Sequence, residues 1–148
     1  MALILIADDD EIVVDIVREA FAARGHYVGA VDDGLPVIGV VESKRPDLVI
    51  LDCNMPEISG LEALRQIRLS ITCFATPVLM LTGCLGEVDE WIAKRSGSDD
   101  YLRKPFDTDQ LVARAEALIE HAKAARKPKA PQPTHSAPTS SERRWGQR

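Results

Sequence analysis

The sequence has no apolar run approaching the roughly 18 residues that a bilayer-crossing helix needs; its longest runs, such as Leu3 to Ala7 and Leu48 to Leu51, are short. A basic amino-terminal region followed by a long apolar stretch is also missing, so no secretory leader is predicted and a cytoplasmic protein is expected. Cysteine is scarce: Cys53, Cys73 and Cys84 are odd in number and lack close paired spacing. That excludes a disulfide framework and a zinc ribbon, and free thiols are expected. His26, His121 and His135 are scattered without metal-ligand spacing and are expected to face solvent.

An overall excess of positive charge is lacking too, since the 148 residues carry a net −5. That value conceals a division. Residues 1–122 hold 11 Lys and Arg against 22 Asp and Glu, whereas residues 123–148 hold 7 against 1. The second segment is rich in Pro, Ala, Ser and Thr and almost free of large apolar side chains. It cannot bury enough surface to offset its ordering entropy, so 123–148 is predicted to be a basic, disordered tail on a single domain, 1–122.

Within 1–122 the hydrophobic period alternates between strand and helix. Leu3 to Ala7 reads as a strand covered on both faces, and Val13, Val17, Ala20 and Phe21 as the face of a helix that Gly25 stops. Tyr27 to Val31 is a second strand, Asp32-Asp33-Gly34 a turn, and Pro36 to Lys44 a second helix. Leu48 to Leu51 follows as a third strand. Ser59-Gly60-Leu61-Glu62 forms a capping box for a third helix with Leu61, Leu64, Ile67 and Ile71 on its face. Pro77 to Leu81 is a fourth strand, and Val88, Trp91 and Ile92 mark a short fourth helix with Trp91 in the core. Asp99-Asp100 reads as a turn or cap. Tyr101 to Arg103 is the fifth strand, and Asp107 with Gln110 caps a fifth helix with Leu111, Ala115 and Leu118 inward. Such regular alternation predicts an α/β, doubly wound, five-stranded parallel sheet with five helices.

In this architecture a site lies beyond the carboxyl ends of the strands. Those ends carry Asp8-Asp9, Asp52, Thr82 and, just past the fifth strand, Lys104. Three gathered carboxylates repel one another unless a cation lies among them, and hard oxygen donors suit Mg²⁺. The set supports phosphoryl transfer to a carboxylate, with Asp52 as nucleophile, Asp8 and Asp9 holding metal, and Lys104 and Thr82 steadying the phosphoryl oxygens.

The stretches Ile4 to Asp10, Val49 to Pro56 through Gly60-Leu61-Glu62, Val78 to Gly83 and Asp100 to Phe106 together resemble the receiver domains of two-component response regulators. The resemblance spans about residues 1–122 and implies a flavodoxin-like strand order, 2-1-3-4-5. It further implies that Asp52 accepts a phosphoryl group from a histidine kinase or histidine phosphotransfer protein. Asp9 and Asp52 would hold Mg²⁺ directly, Asp8 through water and Asn54 through its backbone carbonyl. Lys104 would contact the phosphoryl group, its bond to Pro105 being cis, and Thr82 would turn to hydrogen-bond it. Tyr101 would be the switch aromatic. A surface of the fourth helix, fifth strand and fifth helix would then bind a downstream protein effector, or pair two copies weakly.

Such a domain is phosphorylated and dephosphorylated in place and is not a turnover enzyme. With no DNA-binding or other output segment after the fifth helix, a stand-alone receiver is expected. Three other readings compete. A phosphatase of the haloacid dehalogenase type would want a second Asp two residues after the nucleophile, where Asn54 stands. A degenerate receiver would lack some acceptor or metal position, and all are present. Arg143, Arg144 and Arg148 around Trp145 offer the tail a contact with nucleic acid or membrane, against the plainer reading of a solvated linker.

Overall fold

A computed structural model describes residues 1–83, 91–92 and 94–126. Its elements are β1 (Leu3–Ala7), α1 (Glu11–Ala22), β2 (Tyr27–Val31), α2 (Val37–Lys44), β3 (Leu48–Asp52), α3 (Gly60–Leu69), β4 (Val78–Thr82), β5 (Asp100–Arg103) and α4 (Thr108–Arg126). The five strands form one parallel sheet in the order β2-β1-β3-β4-β5, as the resemblance implies. No helix among the described residues is long and apolar enough to cross a membrane.

Alternation along each strand divides the core in two. Ile4, Ile6, Ile50, Leu79 and Leu81 pack against Val17 and Phe21 of α1 and Leu111 and Ala115 of α4. Leu5, Val49, Leu51 and Met80 face the other way, onto Val37 and Val41 of α2 and Leu64 and Ile67 of α3. β3 and β4 are buried at every position, which is why they read as unbroken apolar runs.

Local signals set the helix ends. The Asp10 carboxylate accepts from the Ile12 N–H at 2.9 Å, Ser59 Oγ from the Glu62 N–H at 3.2 Å, and the Asp107 carboxylate from the Asp109 N–H at 2.8 Å. Asp33 accepts from the Leu35 N–H at 2.9 Å within the predicted turn.

Several sequence expectations are corrected. α3 ends at Leu69 because Ser70 turns to extended backbone, so Ile71 falls off the helical face and is 91% exposed. On α4 the inward position is Ile119, with Leu118 only partly buried. That helix also runs to Arg126, into the segment assigned to the tail.

Four helices stand among the described residues. The predicted fourth lies largely outside them, together with Val88 and Cys84, although Trp91 and Ile92 are helical. Trp91 is 57% exposed instead of being in the core, and the Arg95 guanidinium lies 4.8 Å from its ring centre. Cys53 and Cys73 are not disulfide-bonded. His121 is exposed, and His135 with the rest of 127–148 lies outside the described residues.

His26 does not face solvent. Its Nδ1 accepts from the Ala2 N–H at 3.1 Å, and its Nε2 lies 2.9 Å from Glu116, which also binds Arg24 at 3.0 Å. Asp99 and Asp100 are likewise more than turn residues. Asp99 accepts from Arg68 and from the Val78 N–H, both at 2.8 Å, and Asp100 opens β5 and pairs with Arg114 at 3.0 Å.

Candidate functional site

The strand order brings the predicted polar residues to one edge of the sheet. Asp8 follows β1, Asp52 ends β3 and Thr82 ends β4; all three are buried. Asp9 beside them is exposed, and Lys104 follows β5. One carboxylate oxygen from each of Asp8, Asp9 and Asp52 can be chosen so that all three lie within 4.8 Å of one another.

Each group is fixed by backbone around it. The Asp10 N–H donates to Asp8 Oδ1 at 2.9 Å, and Asp8 itself donates its N–H to the Val31 carbonyl at 3.1 Å. The Asn54 N–H donates to Asp52 Oδ1 at 3.2 Å. The Cys53 N–H reaches the Leu81 carbonyl at 2.9 Å, tying the turn after β3 to β4. Gly60 opens α3 directly beneath this turn, where a methyl group would collide with the Asp52 carbonyl oxygen. Only glycine permits that approach.

Lys104 closes the cluster from the far side. Its N–H donates to the Thr82 carbonyl at 2.7 Å, its peptide bond to Pro105 is cis, and its Nζ donates to Asp8 Oδ2 at 2.7 Å. The same ammonium stands 3.5 Å from Asp52 Oδ2. Burial, and then the Asp8 charge, push the Asp52 carboxyl up to about 6, against the lowering effects of the Asn54 N–H and Lys104. Burial pulls the Lys104 ammonium down, but its hydrogen bond to Asp8 and the charges of Asp52 and Asp8 outweigh this and hold it above its ordinary value.

Three carboxylates against one ammonium leave an excess of negative charge in a partly buried cleft. Hard, anionic oxygen donors in this number fit Mg²⁺, which keeps several waters beside a few carboxylates. The exposed side of the cluster leaves room for them at Asp9. Asn54 is also exposed, in the turn that follows the acceptor candidate.

Tyr101 lies on β5, inward and 8% exposed, packed with the α2 and α3 side of the core. Two contributions were not singled out from the sequence: the Asp10 N–H on Asp8 and the contact of Gly60 with the Asp52 carbonyl. The first is legible only as an Asp at a helix start, and the second only as a glycine inside a capping box.

Comparison with known proteins agrees with this geometry. The model of the response regulator receiver domain matches residues 4–116. Response regulator MprA of Mycobacterium avium (strain 104) is 37% identical over 120 residues, covering 81% of this chain and 52% of the relative. Response regulator MprA of Mycobacterium ulcerans (strain Agy99) is equally similar, with 51% of its length covered. The chain thus spans about half the length of the curated relatives it matches.

Among solved structures, the Francisella response regulator 1452 receiver domain superposes with a TM-score of 0.76 at 28% identity, covering 82% of this chain and 98% of that one. The receiver domain of sensor histidine kinase PA1611 from Pseudomonas aeruginosa PAO1 does so with a TM-score of 0.75 at 27% identity, covering 80% and 98%. That protein was crystallised with a magnesium ion coordinated in its active site cleft. With the acidic cleft, the strand order and the matched residues all in agreement, this chain belongs to the response regulator receiver domain family of two-component signalling.

Proposed function

We propose that the domain accepts a phosphoryl group on Asp52 from a phosphohistidine of a histidine kinase or histidine phosphotransfer protein. The observation that carries this reading is the Asp52 carboxylate itself, buried at the mouth of the cleft with one oxygen held by the Asn54 N–H and the other facing Lys104. In the transfer, an Asp52 oxygen bonds to phosphorus as the bond from phosphorus to the donor imidazole nitrogen breaks. The donor histidine leaves as imidazole, and the product is an acyl phosphate.

Asp8, Asp9, Asp52 and the Asn54 backbone carbonyl are the groups that would hold Mg²⁺, and the ion would supply positive charge to offset the phosphoryl oxygens. Lys104 adds a second positive charge, and the Thr82 hydroxyl is a hydrogen-bond donor for the same oxygens. In this reading Thr82 and Tyr101 move together on phosphorylation and alter the surface formed by the predicted fourth helix, β5 and α4, where a protein effector binds. The domain is a stoichiometric acceptor that loses its phosphoryl group to water in place, and a cytoplasmic location suits pairing with a kinase's catalytic part.

The test is intact mass after incubation with Mg²⁺ and acetyl phosphate, for the wild type, Asp52→Asn and a chelated sample. A single hydroxylamine-labile adduct that needs both Asp52 and Mg²⁺ is expected. An adduct formed equally by Asp52→Asn would sink the acceptor assignment, and one formed equally under chelation would sink the metal requirement.

A further inference from the structure

β2 is an edge strand, paired with β1 alone among the described residues. Its sequence, Tyr27-Val28-Gly29-Ala30-Val31, contains no charge and no proline. Edge strands usually carry such features because an open row of backbone groups invites another strand. Tyr27 and Ala30 are exposed, and a side chain at Gly29 would meet nothing within 4 Å. A cavity of about 400 Å³ opens beside the strand, lined by Leu5, Tyr27, Gly29, Val31, Val40 and Lys44.

The direction of the free groups follows from the ladder. The Tyr27 N–H donates to the Ala2 carbonyl, and the Val31 carbonyl accepts from the Asp8 N–H. Odd-numbered residues of β2 therefore face β1, and the N–H and C=O of Val28 and Ala30 point away from it.

We infer that two copies of this chain pair through antiparallel β2 strands about a two-fold axis at Gly29. In that register Val28 of each copy exchanges both of its free backbone groups with Ala30 of the other. Gly29 then sits opposite its own copy in a non-hydrogen-bonded pair, where Cα atoms approach to about 4.5 Å and a residue without a side chain fits best. Tyr27 faces Val31 of the other copy, an aromatic and β-branched pair of the favourable kind.

Charge supports a second copy of the chain as the occupant. Asp32 and Asp33 follow β2, while Arg24, bound to Glu116 but with a side chain still 59% exposed, precedes it. Antiparallel pairing sets the acidic end of each strand beside the basic approach of the other, whereas parallel pairing would place like charges together. The interface is isologous and small, so the association is weak and reversible. It lies at the opposite edge of the sheet from β5, and so leaves the proposed effector surface free.

The test is sedimentation velocity of the full chain from about 10 μM to about 1 mM, a range that brackets weak association. Hydrogen exchange at the Val28 and Ala30 amides is followed over the same concentrations. The wild type should shift from monomer to dimer, and both amides should become protected as it does. Ala30→Pro removes an outward donor that β1 does not use, and Ala30→Lys places a charge on the edge. Each should raise the dissociation constant by about tenfold or more while the circular dichroism and the acceptance of phosphoryl from acetyl phosphate stay unchanged. If Ala30→Pro unfolds, Ala30→Lys and the exchange data decide.

A chain that stays monomeric throughout would overturn the inference. A dimer equally strong in Ala30→Lys, or one that leaves the Val28 and Ala30 amides unprotected, would overturn it too and place the contact elsewhere. None of these outcomes depends on Asp52 or on metal.

Discussion

Lys104 divides its ammonium between two carboxylates, donating to Asp8 at 2.7 Å and standing 3.5 Å from Asp52. The shorter contact means that this charge is engaged mainly by Asp8 and less by Asp52, the proposed acceptor. A phosphoryl group on Asp52 would bring new anionic oxygens within reach of the same ammonium, so Lys104 is placed to register its arrival.

Lys104→Ala should therefore still form the adduct on Asp52 but fail to convert it into a conformational change. Exposed Trp91 offers a readout. Its fluorescence is expected to change on phosphorylation of the wild type and to stay flat in the variant at equal adduct by mass. An unaltered fluorescence response in Lys104→Ala would remove the residue from the coupling.

The raised Asp52 carboxyl makes a stability prediction for the metal-free protein. A folded-state value of about 6 against 3.8 means that the fold holds this proton more tightly than the unfolded chain does. That contribution is fully present below about pH 4 and is lost as pH rises through about 6. With chelator present, Asp52→Asn should be more stable than the wild type at pH 7.5 by about 3 kcal/mol, and the difference should shrink toward pH 4. Urea unfolding at the two pH values checks this, and a variant less stable than wild type at pH 7.5 would contradict it.

Arg68 on α3 fastens three segments at the far end of the sheet. Its Nε donates to the Gly97 carbonyl at 2.8 Å, Nη1 to the Phe74 and Thr76 carbonyls at 2.9 and 2.7 Å, and Nη2 to Asp99 at 2.8 Å. Arg68→Ala should cost about 2–4 kcal/mol in urea unfolding, because several acceptors lose a charged donor at once. Arg68→Lys should recover less than half of it, since a single ammonium cannot reproduce the planar fork.

Glu116 is held below its ordinary value by its hydrogen bonds to His26 and then Arg24. Stability from this group is therefore present above pH 4.5 and disappears as pH falls through the lowered folded value. Glu116→Gln should flatten the acid limb of a melting temperature profile recorded between pH 3 and 6. An unchanged limb would show that the cluster contributes nothing to acid stability.

What was legible in the sequence was what short-range pattern and strand ends encode. β1 is apolar throughout and β3 and β4 are apolar up to their last residue, and a carboxylate or hydroxyl closes each apolar run, so Asp8, Asp52 and Thr82 could be placed on one edge before any coordinates. The misplaced residues are those whose fate depends on distant partners or on where a helix stops. Ile71 keeps helical spacing, but the backbone leaves the helix at Ser70. His26 is covered because Glu116, 90 positions away in sequence, comes beside it. Trp91 has an apolar ring at helical spacing, yet its helix turns that ring outward to Arg95.

Gly60 packs against the Asp52 carbonyl with no room for even a methyl group between them. A Gly60→Ala substitution therefore has to push the first turn of α3 and the end of β3 apart, and the turn between them, which carries the Asn54 N–H bound to the Asp52 carboxylate, has to move with them.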